Sequence, residues 1–180
     1  VTAVLDDVGA DRAAFWGYSL GAMTGYAVAA HTPERLTRLI AGAYDPINGF
    51  RSAVDQAIRE LGLPADIDAY EIVKQGASAD PYQAVLIGAG DLGAFRANYD
   101  AFSREPGLAT ELAACGVPIL MYAGTADPWH DPMRAFAERA GAGFFSLPDA
   151  DHKGGWDRSA DVLPHVLPFL AEDRPSHLRP

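Results

Sequence analysis

The stretch RAAFWGYSLGAMTGYAVAAHTPERL, residues 12–36, limits the possible folds more than any other part of the chain. Residues 12–18 form an apolar run of the kind that makes a short buried strand, and from Leu20 to about His31 small and apolar residues suit a tightly packed helix that Thr32-Pro33 ends. The junction is Gly17-Tyr18-Ser19-Leu20-Gly21, with no linker on either side. A strand that turns straight into a helix brings backbone close to backbone, and Gly17 and Gly21 offer missing side chains where that approach is tightest. Such a turn also lifts Ser19 to the carboxyl edge of a sheet, with a helix N-terminus pointing at its surroundings.

The remaining elements alternate. Val1, Val4, Leu5 and Val8 recur at helical spacing up to Gly9. Leu36–Tyr44, Val117–Ala123 and Gly143–Leu147 read as further strands, Pro132 to about Ala140 as a helix, and RSADVLPHVLPFLAE as a last helix with prolines placed to kink it. This predicts an α/β fold, a mostly parallel sheet flanked by helices. Between Asp45 and Ala114 the alternation stops, and RSAVDQAIREL and DLGAFRANYDAFSR carry amphipathic helical patterns. The expected organisation is a core of residues 1–47 and 106–175, a helical insertion at 48–105 above the sheet, and a tail at 176–180. The insertion's apolar faces include Ile58, Leu61, Leu86, Phe95 and Phe102.

Charge narrows the partners. With 24 acidic against 14 basic side chains the net charge is −10, and no Lys/Arg block occurs, so the footprint for nucleic acid or anionic membrane is missing and a small-molecule substrate fits better. The single cysteine, Cys115, cannot form an internal disulfide and reads as a buried small hydrophobe. With no signal-peptide pattern in residues 1–10, the expected location is cytoplasmic.

A serine hydroxyl is a weak nucleophile until a base takes its proton. Asp127 follows the third strand in PILMYAGTAD and His152 follows the fourth in FFSLPDADH, so serine, acid and base end three strands and converge on one sheet edge. The N–H of Leu20 is left to face a developing oxyanion. Asp45 also ends a strand and competes with Asp127 as the acid. Asp131, Asp149 and Asp151 read as loop or helix-start carboxylates, and His31 as a helix-end residue. His130 with Asp131 lacks further metal-ligand spacing. His165 falls in the last helix and His177 in the tail, while Trp16, Tyr18 and Trp129 flank the reactive positions.

Taken with HTPERLTRLI, VPILMYAGTADP and SLPDADH in this order, the motif resembles the α/β-hydrolase family, in its Ser-Asp-His esterase and lactonase-like branch. The resemblance implies Ser19 as nucleophile, His152 as general base and then acid, Asp127 as the group orienting the imidazole, and the Leu20 amide as one oxyanion donor. It implies a helical cap at 48–105 that shapes the substrate pocket, and no cofactor or metal. The chain opens on Val1, with one helix and the elbow strand before Ser19. It is therefore expected to correspond to the C-terminal two-thirds of such a domain, without the loop that carries a second oxyanion donor. An exposed sheet edge open to self-association follows from that expectation. Two function classes stand open: a hydrolase of a small ester, lactone or thioester, with a cofactor-free perhydrolase as its variant, and a non-catalytic relic or binding module of the same fold.

Overall fold

A computed structural model describes residues 1–68, 70–72, 74, 85, 88 and 90–171. Contacts divide the chain into two units, Val1–Ile47 with Leu108–Pro180, and Asn48–Gly107.

The first unit holds α1 (Thr2–Asp7), β1 (Ala13–Tyr18), α2 (Leu20–His31) and β2 (Leu36–Gly42). In the second, α3 is Arg51–Leu61 and α4 is Leu92–Phe102. The chain then returns to the first unit with α5 (Ala109–Ala114), β3 (Ile119–Gly124), α6 (His130–Ala140), β4 (Gly143–Leu147), α7 (His152–Asp157) and α8 (Ser159–Ala171). The four strands lie in the order β1-β2-β3-β4, and every neighbouring pair is parallel. Parallel neighbours need crossover connections, which α2 supplies between β1 and β2 and α6 between β3 and β4.

Both faces of the sheet are covered. On one, Phe15 and Leu39 meet α2 at Gly25, where an added Cβ would stand 2.9 Å from the Phe15 ring and 2.7 Å from a Leu39 methyl. The small residues Ala22, Gly25 and Ala29 are buried here, which is why this helix is nearly free of polar side chains. On the other face Ile40, Leu120 and Tyr122 pack with Leu147, Val162 and Val166, the last two from α8. One row of the sheet reads Tyr18, Gly42, Tyr122, Phe145. Gly42 leaves room for its neighbours' rings: a Cβ there would lie 2.4 Å from Tyr18 and 2.6 Å from Tyr122.

Several boundaries differ from the sequence reading. Strand β2 stops at Gly42 rather than Tyr44, because Ala43 turns into the left-handed region with φ of 47°. Helices α5 and α7, six residues each, carry no apolar stripe at helical spacing like that of α1 and are absent from the sequence reading. Helix α8 agrees with the reading, keeping both Pro164 and Pro168 inside one helix. Cys115 is half-buried rather than buried, its thiol donating to the Leu112 carbonyl at 3.2 Å.

The second unit has its own aromatic cluster. Tyr99 packs on Phe50, Tyr70 and Phe102 with ring centroids 5.8, 6.2 and 5.9 Å apart. Asp91 caps α4 by accepting the Ala94 N–H, and Arg96 bridges to Asp68 at 2.6 Å. Leu86 and the tail expected at 176–180 lie outside the described residues. Among the described residues no helix is long and apolar enough to cross a membrane.

Candidate active site

Ser19 alone separates β1 from α2 and carries the whole change of direction, with φ of 55° and ψ of −118°. A side-chain-bearing residue at positive φ costs on the order of 1–3 kcal/mol, so the surroundings must enforce it. They do so through hydrogen bonds on both sides: the Ser19 N–H donates to the Gly42 carbonyl at 2.8 Å, and its carbonyl accepts the Met23 N–H at 3.1 Å. Gly17 is sterically required, since a Cβ there would lie 2.2 Å from the Gly21 carbonyl carbon and oxygen. Gly21 is not: a Cβ on it would meet nothing within 4 Å. The expectation that both glycines clear a close approach is corrected to one; Gly21 contributes the backbone that Gly17 must clear. Leu20 is the first residue of α2, so its N–H has no acceptor within the helix and points out at the turn.

His152 is the first residue of α7, held there by Asp151, whose side chain caps the helix by accepting the Gly154 N–H at 2.6 Å. Its Nε2 lies 3.1 Å from Ser19 Oγ and its Nδ1 2.8 Å from Asp127 Oδ2. The Asp127 side chain is fully buried while that of His152 is 40% exposed, so the acid is sealed and the imidazole is reachable. A buried carboxylate needs donors. Asp127 receives two, the imidazole on Oδ2 and the Trp129 N–H on Oδ1 at 3.0 Å. Facing an acceptor, Nδ1 carries the imidazole proton, which leaves Nε2 to accept from the Ser19 hydroxyl. The Trp129 ring stands edge-on to His152 at 4.9 Å.

The loops bearing Asp127 and His152 are sewn together. Thr125 N–H donates to Leu147 O, Ala126 N–H to Ala150 O, and Asp149 N–H to Thr125 Oγ1, at 3.0, 3.0 and 2.9 Å. Gly124 makes this possible, for a Cβ there would fall 2.0 Å from the Ala150 carbonyl oxygen. Sequence reasoning passed over Gly124; its only signal was a glycine directly after an apolar strand and just before the acid.

Tyr18, a flanking aromatic by sequence, donates its hydroxyl to the His152 carbonyl at 2.7 Å. Burial, reinforced by the Asp127 charge, holds that phenol well above the ordinary tyrosine range. Asp45 is buried and accepts the Ile47 N–H at 2.7 Å. His130 bonds through Nδ1 to Asp131 and through Nε2 to Ser146 Oγ, both at 2.8 Å, and that hydrogen bond holds the Asp131 carboxyl below its usual range. Among the described residues no third ligand-type side chain joins the His130 and Asp131 pair. His31 is exposed at the end of α2, and His165 stacks on Phe145 at 4.1 Å.

Neither protein-family models nor curated proteins match the chain. Solved structures do. An enol-lactonase from Burkholderia xenovorans LB400 matches with TM-score 0.66 and 24% identity, over 94% of this chain and 69% of its own. MGS-M2, an alpha/beta hydrolase enzyme from a Medee basin deep-sea metagenome library, matches with TM-score 0.66 and 16% identity over 99% and 72%. A thermophilic esterase from Thermogutta terrifontis matches with TM-score 0.64 and 20% identity over 93% and 68%. The chain has the α/β-hydrolase fold.

Proposed function

We propose that this chain, built on the α/β-hydrolase fold, is a serine hydrolase that cleaves a carboxylic ester, lactone or thioester of a small substrate through an acyl-serine intermediate. The observation that carries the reading is the unbroken hydrogen-bond path from Ser19 Oγ through His152 to Asp127, at 3.1 and 2.8 Å, starting from a serine at positive φ. The solved neighbours include a protein described as an enol-lactonase and one described as an esterase, which agrees with an acyl substrate.

Ser19 Oγ attacks the carbonyl carbon as His152 Nε2 takes its proton, and Asp127 holds the resulting imidazolium in place. The carbonyl oxygen becomes an oxyanion facing the Leu20 N–H at the start of α2, where the helix dipole adds to the hydrogen bond. As the tetrahedral centre collapses, the carbon–oxygen or carbon–sulfur bond to the leaving group breaks, and the imidazolium returns its proton to that group. Water then repeats the sequence on the acyl-serine, with His152 as base, releasing the acid and restoring Ser19.

A fluorophosphonate probe tests this, because it reacts rapidly only with an activated serine. The expected adduct is on Ser19, absent in Ser19→Ala and strongly slowed in His152→Ala, with parallel losses of p-nitrophenyl ester hydrolysis of about four to six orders of magnitude. Absence of labelling, with a folded protein, points to the non-catalytic binding module; labelling on another serine refutes the assignment.

A further inference from the structure

We propose that Tyr18 is a positioning residue for His152, a strut that fixes the distance between the imidazole and the nucleophile. The proposal rests on the hydrolase reading, since it concerns how the same site is held. Tyr18 ends β1 and is covalently joined to Ser19, so its backbone moves with the nucleophile. Its hydroxyl reaches across to donate to the backbone carbonyl of His152 itself, at 2.7 Å. Its ring lies 5.3 Å from the imidazole, 5.6 Å from Trp156 and 5.8 Å from Tyr122. One side chain therefore links the two triad members that must exchange a proton.

The space for this phenol is cleared on two separate elements. On β2 a Cβ at Gly42 would stand 2.4 Å from the Tyr18 ring, and on α7 a Cβ at Gly155 would stand 2.3 Å from its hydroxyl. A tyrosine serving only as core filler needs neither a polar tip aimed at the base nor a glycine facing that tip. The strut is needed because α7 is only six residues long, and His152 occupies its first position. Asp127 fixes Nδ1 of the ring but not the approach of Nε2 to Ser19, and reacting groups displaced by about 1 Å lose up to a hundredfold in rate.

The test compares the 180-residue chain with Tyr18→Phe, which keeps the ring and deletes the hydroxyl, and with Gly155→Ala, which keeps the hydroxyl and pushes it away. Two rates are read. One is fluorophosphonate labelling of Ser19. The other is carbethoxylation of His152 by diethyl pyrocarbonate, scored by peptide mass against exposed His31, which requires no turnover. The strut predicts that both variants label Ser19 at least about tenfold more slowly. In both, carbethoxylation of His152 relative to His31 rises severalfold as Nε2 leaves its partner, with the melting temperature close to that of the parent. Labelling and carbethoxylation ratios equal to the parent's in Tyr18→Phe overturn the proposal. If the parent itself fails to label, the hydrolase reading falls. The His152 ratio then decides the strut alone: a raised ratio in Tyr18→Phe upholds it and an unchanged ratio overturns it.

Discussion

Among the described residues, two serines stand at the end of a serine, histidine, aspartate hydrogen-bond path, Ser19 with His152 and Asp127, and Ser146 with His130 and Asp131. Their backbones and burial tell them apart. Ser146 lies inside the regular strand β4 rather than at a strand-to-helix turn, and the Asp131 side chain is 78% exposed, so its charge is screened by water. Ser19 sits at positive φ beside the free N–H groups of α2, and Asp127 is sealed. Ser146→Ala is therefore expected to leave fluorophosphonate labelling and ester hydrolysis unchanged within twofold. Asp127→Asn keeps an acceptor for the Trp129 N–H but favours the wrong imidazole tautomer, and should lower kcat by about 10⁴. The strain at Ser19 has its own signature: Ser19→Gly should be about 1 kcal/mol more stable than Ser19→Ala in urea denaturation, with neither expected to take the fluorophosphonate label. Tyr18 adds a dependence on pH. Its folded pKa is raised by burial above the ordinary 10.0, so its share of stability is complete below that pH. That share is lost as pH rises, because the unfolded chain ionises first. The melting temperature of Tyr18→Phe should accordingly decline less steeply above pH 10.0 than that of the parent.

At the scale of elements, the geometry of the candidate site depends on where backbones touch, and glycines mark those places unequally. Gly17→Ala drives a methyl into the Gly21 carbonyl, a backbone atom that cannot step aside, and should cost about 1–3 kcal/mol or more together with most of the labelling rate. Gly21→Ala meets open space on the first turn of α2 and should be neutral, or up to about 1 kcal/mol stabilising through helix propensity. Gly124→Ala should separate the acid loop from the histidine loop and abolish labelling. Thermal melts and fluorophosphonate rates on these three variants check the ranking. The same contrast explains what the sequence made legible. The β1–α2 junction, β4 and the order Ser19, Asp127, His152 could be read because each rests on a local pattern, an apolar run ended by a residue of distinctive chemistry. Tyr18, Gly124, Gly155 and helix α7 could not, because their roles arise from partners up to 134 positions away. The pentapeptide made Gly17 and Gly21 look equivalent, and only the packing of β1 against α2 separates them.

For the 180-residue chain taken by itself, the sheet order among the described residues gives β1 one neighbour, and we propose that this edge is where copies of that chain associate. The Ser19 N–H faces β2, so by strand alternation the N–H and C=O groups of Ala14, Trp16 and Tyr18 point the other way. The strand reads AAFWGY, without charge or proline to discourage pairing, and Trp16 is 44% exposed on it. A two-fold pairing of β1 with β1 of a second copy would satisfy these groups and cover both tryptophans. The net charge of −10 works against it, since two like-charged copies repel over about a Debye length, near 10 Å at 0.1 M salt. The two effects differ in range, which makes them separable. Strand pairing is short-ranged and indifferent to salt, whereas the repulsion is screened, so association of the 180-residue chain should strengthen as salt rises from about 20 mM to 0.5 M. Trp16→Lys, which places a charge on the edge, should keep the chain monomeric across that range while α2 and the rest of the sheet retain their packing. Size-exclusion chromatography with light scattering, at several protein concentrations and two salt levels, reads the outcome. A parent chain that stays monomeric at high salt, or a Trp16→Lys variant that associates as the parent does, would remove β1 as the surface of association.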